Sequence, residues 1–323
     1  MLVKIPIKDF AKKIICDGHL YVAAGEGRRF YVMQPGMLIE EDFIKKHALQ
    51  NTVFEFESVI HKERSQEFIK HFRDLKYLQF EKDLERKCRE IGAYFHSVYQ
   101  SDEHFLTFAL AAFQEFCLIP KESLKRMHDL DINLFRKSLY SAGFAVITAI
   151  ANDFYHYTMI RDFYNLTLGL DIGLCDQSYS YYVAQGCNQE NLSPGSGANW
   201  MRQEKATEQE IAVFLKHPQK SYEFIKNLSI LSYGELSEIL LYQHELANGQ
   251  GFPRGISKGE VSSWEAVVLL SSSFVDIADS FPFEKNVLGY LGEFQNVKLD
   301  LLPVKKIYTK LIRNIHLVVE AAG

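Results

Sequence analysis

The sequence predicts a mainly α-helical protein that begins with a small α/β domain. Up to about residue 56, short segments alternate apolar and polar residues between turn-forming glycines and prolines, a pattern typical of β-strands. From residue 57 onward, apolar residues recur every three or four positions, the spacing of amphipathic helices. The chain has 323 residues, of which 47% are hydrophobic, so it can bury a sizeable core.

The N-terminal region, residues 1–56, is predicted to form a domain of its own. Gly25-Glu26-Gly27-Arg28 separates two apolar segments and predicts a hairpin. Pro35-Gly36 predicts a further turn, and Glu40 to His47 predicts a short helix. The predicted strands are residues 3–7, 20–24, 29–33 and 52–56.

The remaining chain is predicted to be helical, with a connector at residues 57–130 and a second domain at residues 131–323. Two segments rich in Gly, Ser, Asn and Pro, Gly186 to Arg202 and Asn248 to Lys258, are predicted to be loops. The helices are predicted at residues 58–77, 82–99, 105–116, 134–153, 157–170, 208–215, 219–228, 233–246, 261–279 and 301–319.

Composition and charge exclude several functional classes. The net charge of −5 argues against a binder of nucleic acid polymers, which usually carries a basic excess. No apolar run approaches the roughly 20 residues that a membrane span needs. The first residues alternate apolar and charged side chains, unlike a signal peptide, so we expect a cytoplasmic protein. The five cysteines are widely spaced and predict free thiols.

The segment from Gln243 to Gly255 carries the most specific motif. It reads Gln-His-Glu-Leu-Ala-Asn-Gly-Gln-Gly-Phe-Pro-Arg-Gly and resembles the signature HHExxxGxGYPxG of the HD-GYP phosphohydrolases, which are cyclic-di-GMP phosphodiesterases. Gln243 stands where the signature has its first His, and Phe252 where it has Tyr. The resemblance implies an HD-type helical bundle whose His and Asp side chains surround two or three metal ions.

Other family positions follow the same order along the chain. Asp171-Ile172-Gly173 is similar to the family's His-Asp motif, and His217-Pro218 is similar to its His-Pro pair. The helix upstream has no His near Ser138 to Ser141, where the resemblance implies one. Four further metal or phosphate positions carry residues that depart from the pattern: Leu170, Leu174, Gln243 and Ser273. The resemblance therefore implies a degenerate site.

Three family ligands remain, namely Asp171, His217 and His244. In the family these positions surround one metal, and three protein ligands plus water make a workable open site. The cofactor expected is therefore none or one residual divalent metal, with iron, manganese or zinc suited to imidazole and carboxylate ligands. Each residue also has a structural alternative: His217 begins a helix before Pro218, His244 is a hydrogen-bonded structural His, and Asp171 caps a turn.

The signature loop is the predicted ligand-binding segment. Gly249 and Gly251 permit positive φ angles, and Pro253 fixes the exit of the loop. Phe252 keeps the aromatic ring of the family Tyr without its hydroxyl. Arg254 is suited to bidentate binding of phosphate. The alternative is that the loop serves only the stability of the fold.

Three functions follow from the resemblance. The first is a degenerate HD-GYP signalling module without the two-metal centre, which binds cyclic-di-GMP or a signalling protein partner. The second is an active phosphodiesterase that uses one metal at Asp171, His217 and His244. The third is a structural interaction protein with an empty core site, similar to the HDOD output domains.

Overall fold

The structure confirms a mainly α-helical chain with a small four-stranded sheet near the N-terminus. It is a computed structural model that describes residues 2–13, 15–23, 28–50, 52–59, 62–98, 102–175, 179–192, 196–245, 249, 251–255, 262–279 and 306–313. The domain boundaries given above stay a prediction.

The N-terminal module is a fully antiparallel sheet covered on one face by helices. Its strands lie in the order β1-β4-β2-β3, and Phe10 packs edge-on against Phe43 and Phe56 in a small core. The predicted strands and helix are all present. The elements are β1 (Leu2–Pro6), α1 (Ile7–Phe10), β2 (Gly18–Ala23), β3 (Arg29–Met33), α2 (Glu41–Leu49) and β4 (Val53–Ser58).

Further helices follow, and their buried faces form one continuous core. Ile15 and Leu38 of the N-terminal module join this core, so the two parts of the chain are packed together. The helices are α3 (Lys62–Tyr77), α4 (Glu81–Val98), α5 (Asp102–Phe116), α6 (Lys121–Leu130), α7 (Ile132–Ala151), α8 (Tyr157–Leu168), α9 (Tyr181–Leu192), α10 (Gly197–Gln203), α11 (Glu208–Leu228) and α12 (Ser263–Asp279). Residues 306–313 are also helical.

The prediction of a loop from Gly186 to Arg202 is wrong over most of this segment, because α9 and α10 occupy it. The glycines that suggested a loop serve close helix packing instead. A Cβ on Gly197 would lie 2.5 Å from the carbonyl oxygen of Gly186, and one on Gly186 would lie 2.6 Å from the sulfur of Met201. Small residues at these positions let the two helices approach, a tertiary effect that local composition does not report.

Two other helix predictions need correction. The segments 208–215 and 219–228 form the single helix α11, which begins with a capping box between Thr207 and Glu210 and contains Pro218 in its interior. The predicted helix at 233–246 is a 3₁₀ helix over Gly234–Tyr242. His217 is therefore inside a helix, and His244 lies beyond the end of one.

Two expectations about the chain as a whole can be compared with the structure. In the part of the chain that the structure describes, no helix is both long and apolar enough to cross a membrane. All five cysteines are free thiols, and burial raises the pKa values of Cys16, Cys88 and Cys117 to about 12.

Candidate metal centre

The three predicted ligands lie together, although they come from three separate segments. His217 Nε2 is 3.1 Å from His244 Nε2 and 3.5 Å from Asp171 Oδ1. One ligand atom from each residue lies within 4.8 Å of the others. We call Asp171, His217 and His244 the central cluster.

Asp171 is positioned by a tight turn between α8 and a short 3₁₀ helix at Ile172–Leu174. Gly173 allows this turn to lie directly on α11, since a Cβ there would be 2.3 Å from the carbonyl oxygen of His217. Ser221 of α11 clamps the turn: its hydroxyl accepts from the Gly173 N–H at 2.9 Å and donates to the Leu170 carbonyl at 2.5 Å. The side chain of Asp171 makes no capping hydrogen bond to the 3₁₀ helix, which argues against a capping role.

His217 is oriented by the proline that follows it. In a helix, the N–H of residue 218 would bond to the carbonyl of Phe214, but Pro218 has no N–H. The freed Phe214 carbonyl lies 2.6 Å from His217 Nδ1. A carbonyl only accepts, so Nδ1 carries a proton, and Nε2 is the ring nitrogen that faces the cluster.

His244 is held by the signature loop. Residues His244 and Phe252 form an antiparallel bridge, in which the Phe252 N–H donates to the His244 carbonyl at 3.0 Å. The Phe252 ring stacks on the His244 ring with centroids 4.6 Å apart and also contacts Phe214, at 4.9 Å. The aromatic ring at position 252 therefore packs against the cluster itself.

Asp171 is ionised in this arrangement. Burial acts to raise its pKa, but the opposing influences, of which the Lys137 ammonium is the largest, outweigh burial and hold the pKa well below its usual range. Lys137 projects from α7, and its Nζ lies 3.9 Å from Asp171 Oδ2. Oδ1 thus faces the histidines, while Oδ2 faces a fixed positive charge.

His244 is neutral. Burial lowers its pKa well below the ordinary value, and the charge of Asp171, which acts in the opposite direction, does not reverse this. An uncharged imidazole is the form that binds metals.

The donor set fits one divalent cation. Metal bonds of about 2.0–2.1 Å in a tetrahedral site place neighbouring ligand atoms roughly 3.3–3.4 Å apart. The two closest separations in the cluster, 3.1 and 3.5 Å, differ from this value by a few tenths of an ångström. His217 also has the backbone partner on its other nitrogen that usually accompanies a metal-bound His.

Three of the four positions that depart from the family pattern have structural roles here. Leu170 and Leu174 are buried in the core. The Gln243 amide donates to the Leu170 carbonyl at 3.3 Å. The backbone of Ser273 belongs to α12, but its side chain lies outside the described residues.

The described part of the signature loop is residue 249 and residues 251–255. Gly249 and Gly255 have φ angles of 74° and 63°, which glycine adopts at little cost. Pro253 is partly buried, as is Gly251. Arg254 is exposed, and its backbone N–H donates to the buried Glu245 carboxylate at 2.7 Å. The Arg254 side chain is therefore accessible, while Phe252 is not.

Sequence reasoning missed Lys137. It immediately precedes the Ser138 to Ser141 stretch, where the resemblance implied a ligand, and a search of that helix for any charged side chain would have found it.

Comparisons with known proteins give one similar structure. No protein-family model and no curated protein matches this chain. A solved structure described as "Bd1817, a HDG"Y"P protein from Bdellovibrio bacteriovorus" is similar at 13% sequence identity and a TM-score of 0.39, over 99% of this chain and 100% of that one.

Proposed function

We propose that this chain is a signalling module related to HD-GYP domains, which binds one divalent cation at the central cluster and lacks a two-metal phosphodiesterase centre. The observation that carries the proposal is the state of Asp171: one carboxylate oxygen faces two histidines and the other faces Lys137. Bound there, a cation would supply Lewis acidity.

A second ion is disfavoured by charge and by the lack of ligands. A carboxylate that bridges two metals needs both oxygens, but the ammonium of Lys137 lies where a second cation would approach Oδ2. Leu170 offers no donor atom, and the Gln243 amide is engaged with a backbone carbonyl. Lys137 therefore replaces a second positive ion with a side chain.

The exposed guanidinium of Arg254 supports an anionic ligand. Its fork of donors matches a phosphate, as in a cyclic dinucleotide or a phosphorylated partner. Phe252 is only 8% exposed and stacks on His244, so it is not available to stack on a guanine. We propose cyclic-di-GMP, held through its phosphates by Arg254, as the ligand, with a signalling protein as the partner that responds.

An active phosphodiesterase with a single metal is the second candidate. Three protein ligands with an open position are the arrangement of many catalytic zinc sites, and the central cluster offers three. In that case His217 and His244 would orient the substrate phosphate indirectly, by fixing the cation.

The first experiment combines metal analysis and activity on one sample. Protein purified without chelator is analysed for iron, manganese and zinc, and the same sample is assayed for cyclic-di-GMP binding and hydrolysis. The proposal expects one equivalent of metal to be lost in His217→Ala, and ligand binding without turnover that is lost in Arg254→Ala. The exposed His156 provides the matched control, since His156→Ala should retain both.

Each other outcome is informative. Turnover that disappears in His217→Ala would establish the single-metal enzyme. Wild-type protein that binds no added iron, manganese or zinc would rule out both candidates.

A further inference from the structure

A second group of potential ligands lies where the N-terminal module meets the helical region. Glu40 immediately precedes α2 in the module, whereas His128 and Asp129 belong to the last turn of α6. One ligand atom from each of these three residues lies within 4.8 Å of the others. We call Glu40, His128 and Asp129 the junction cluster.

His128 is the unusual member of this cluster. Its side chain is 7% exposed, and neither ring nitrogen has a hydrogen-bond partner. Nδ1 faces both carboxylates, at 3.7 Å from Glu40 Oε1 and 3.6 Å from Asp129 Oδ1, distances too long for hydrogen bonds. A buried polar group without a partner in the chain is uncommon, and a bound ion would provide one.

The two separations from His128 Nδ1 are compatible with a cation between the three atoms. They exceed the edge of a tetrahedral site, about 3.3–3.4 Å, by only a few tenths of an ångström. Both carboxylates are partly exposed, which leaves a route for an ion from solvent. One imidazole and two carboxylates suit zinc, manganese or iron.

Lys125 lies against the opposite side of the carboxylates. Its Nζ is 2.6 Å from Asp129 Oδ2 and 3.6 Å from Glu40 Oε2, and the hydrogen bond to Asp129 raises the pKa of Lys125. The oxygens that face His128 are the other two. The ammonium thus holds the carboxylates in place but reduces the negative charge available to a divalent ion.

We propose that the junction cluster is a second divalent-cation site that links the N-terminal module to the helical region. Its ligands come from both parts of the chain, so bound metal would hold Glu40 of the module against the end of α6. This site is separate from the central cluster, and neither depends on the other.

The test uses zinc as the probe and removes the central cluster first. In the full-length His217→Ala protein we expect one zinc to bind and to raise the melting temperature. Adding Asp129→Asn or Glu40→Gln should lower the zinc affinity at least tenfold and abolish the rise in melting temperature. These partly exposed residues are better targets than His128, whose ring packs edge-on against Phe135.

Two controls make the result specific. Adding Lys125→Met to His217→Ala should tighten zinc binding, because a competing positive charge is removed, whereas adding His156→Ala should change nothing. The proposal is wrong if His217→Ala binds no zinc, or if Asp129→Asn and Glu40→Gln leave its binding unchanged. If the wild-type protein binds zinc at the junction cluster but not at the central cluster, only the function proposed above is overturned.

Discussion

The central and junction clusters use the same chemical groups in different surroundings. Each combines imidazole and carboxylate, and each has a lysine on the outer oxygen of a carboxylate. In the central cluster, His217 is fully buried and its tautomer is fixed by the Phe214 carbonyl. In the junction cluster, the carboxylates are partly exposed and the His128 ring has no hydrogen bond.

The difference shows how a fold prepares a site. At the central cluster, a glycine, a serine and a proline each fix one part of the geometry before a ligand arrives. At the junction cluster, the arrangement depends on two parts of the chain remaining in contact. We therefore expect the central cluster to bind metal more tightly, and the junction cluster to respond to movement of the N-terminal module.

The largest expected effect is that of Gly173→Ala. The new Cβ would lie 2.3 Å from the His217 carbonyl and 2.5 Å from the Ser221 nitrogen, both backbone atoms that cannot move without moving α11. We expect the free energy of unfolding to fall by about 1–3 kcal/mol. Zinc should be lost from the central cluster and kept at the junction cluster, as measured by denaturant titration and zinc titration.

Gly92→Ala is the matched control for that variant. Gly92 lies within α4, and among the described residues no atom would lie within 4 Å of a Cβ there. Alanine should stabilise the helix by about 0.5–1 kcal/mol and leave both zinc sites intact. Equal central zinc affinity in Gly173→Ala and the wild type would refute the role given to Gly173.

The next effect is that of Pro218→Ala, which should change stability and affinity in opposite directions. Alanine favours the helix interior by up to about 3 kcal/mol over proline, so the free energy of unfolding should rise. Its N–H would compete with His217 Nδ1–H for the Phe214 carbonyl, and central zinc affinity should fall by about tenfold or more. Calorimetric zinc titration checks this, and an affinity that stays constant or rises would contradict it.

A smaller effect compares the two lysines. Lys137→Met should increase zinc affinity at the central cluster by about tenfold, because the Lys137 side chain is only 13% exposed and its charge is little screened. Lys125→Met should increase zinc affinity at the junction cluster by a smaller factor, since the Lys125 side chain is 41% exposed and its charge is more screened. Zinc titrations with the other cluster disabled measure the gain in affinity for each variant. Equal gains would show that the difference in burial does not affect how strongly each lysine opposes zinc.

The smallest effect is a pH dependence at Asp162, which helps to hold the segments that carry the central cluster. Asp162 of α8 is buried, and its carboxylate accepts from the Tyr233 N–H at 2.9 Å. Burial raises its pKa, although the backbone hydrogen bonds from Tyr233 and Ser232 and the charge of Arg161 act in the opposite direction. The folded protein therefore holds this proton more tightly than the unfolded chain does.

The sign of the expected result follows from linkage. The stability due to Asp162 is fully present below its unfolded pKa, near the ordinary value of 3.8, and is lost as pH rises through the raised folded value. Asp162→Asn keeps an acceptor for Tyr233 but does not titrate. Its stability relative to the wild type should rise across this window, as measured by denaturation at a series of pH values, and a constant difference would contradict the assignment.

Much of the fold could be predicted because the relevant patterns are local. The strand β3, predicted at residues 29–33, is found at Arg29–Met33, since alternation is a property of a few adjacent residues. The break predicted before Pro218 is wrong, because packing of α11 on the Asp171 turn outweighs the intrinsic cost of proline. Lys137 and the junction cluster lack a motif, so neither could be found from spacing.

The sequence by itself determined the chemical identity of the site. It predicted Asp171, His217 and His244 as the candidate ligands, and it marked a leucine and a glutamine as departures from the family pattern at two other positions. Only the tertiary structure decided that these three atoms meet, that Pro218 sets the tautomer of His217, and that Lys137 occupies the side of Asp171 where a second ion would bind. Residue types follow from the order of the chain, whereas distances and charges in a site arise only when distant segments pack together.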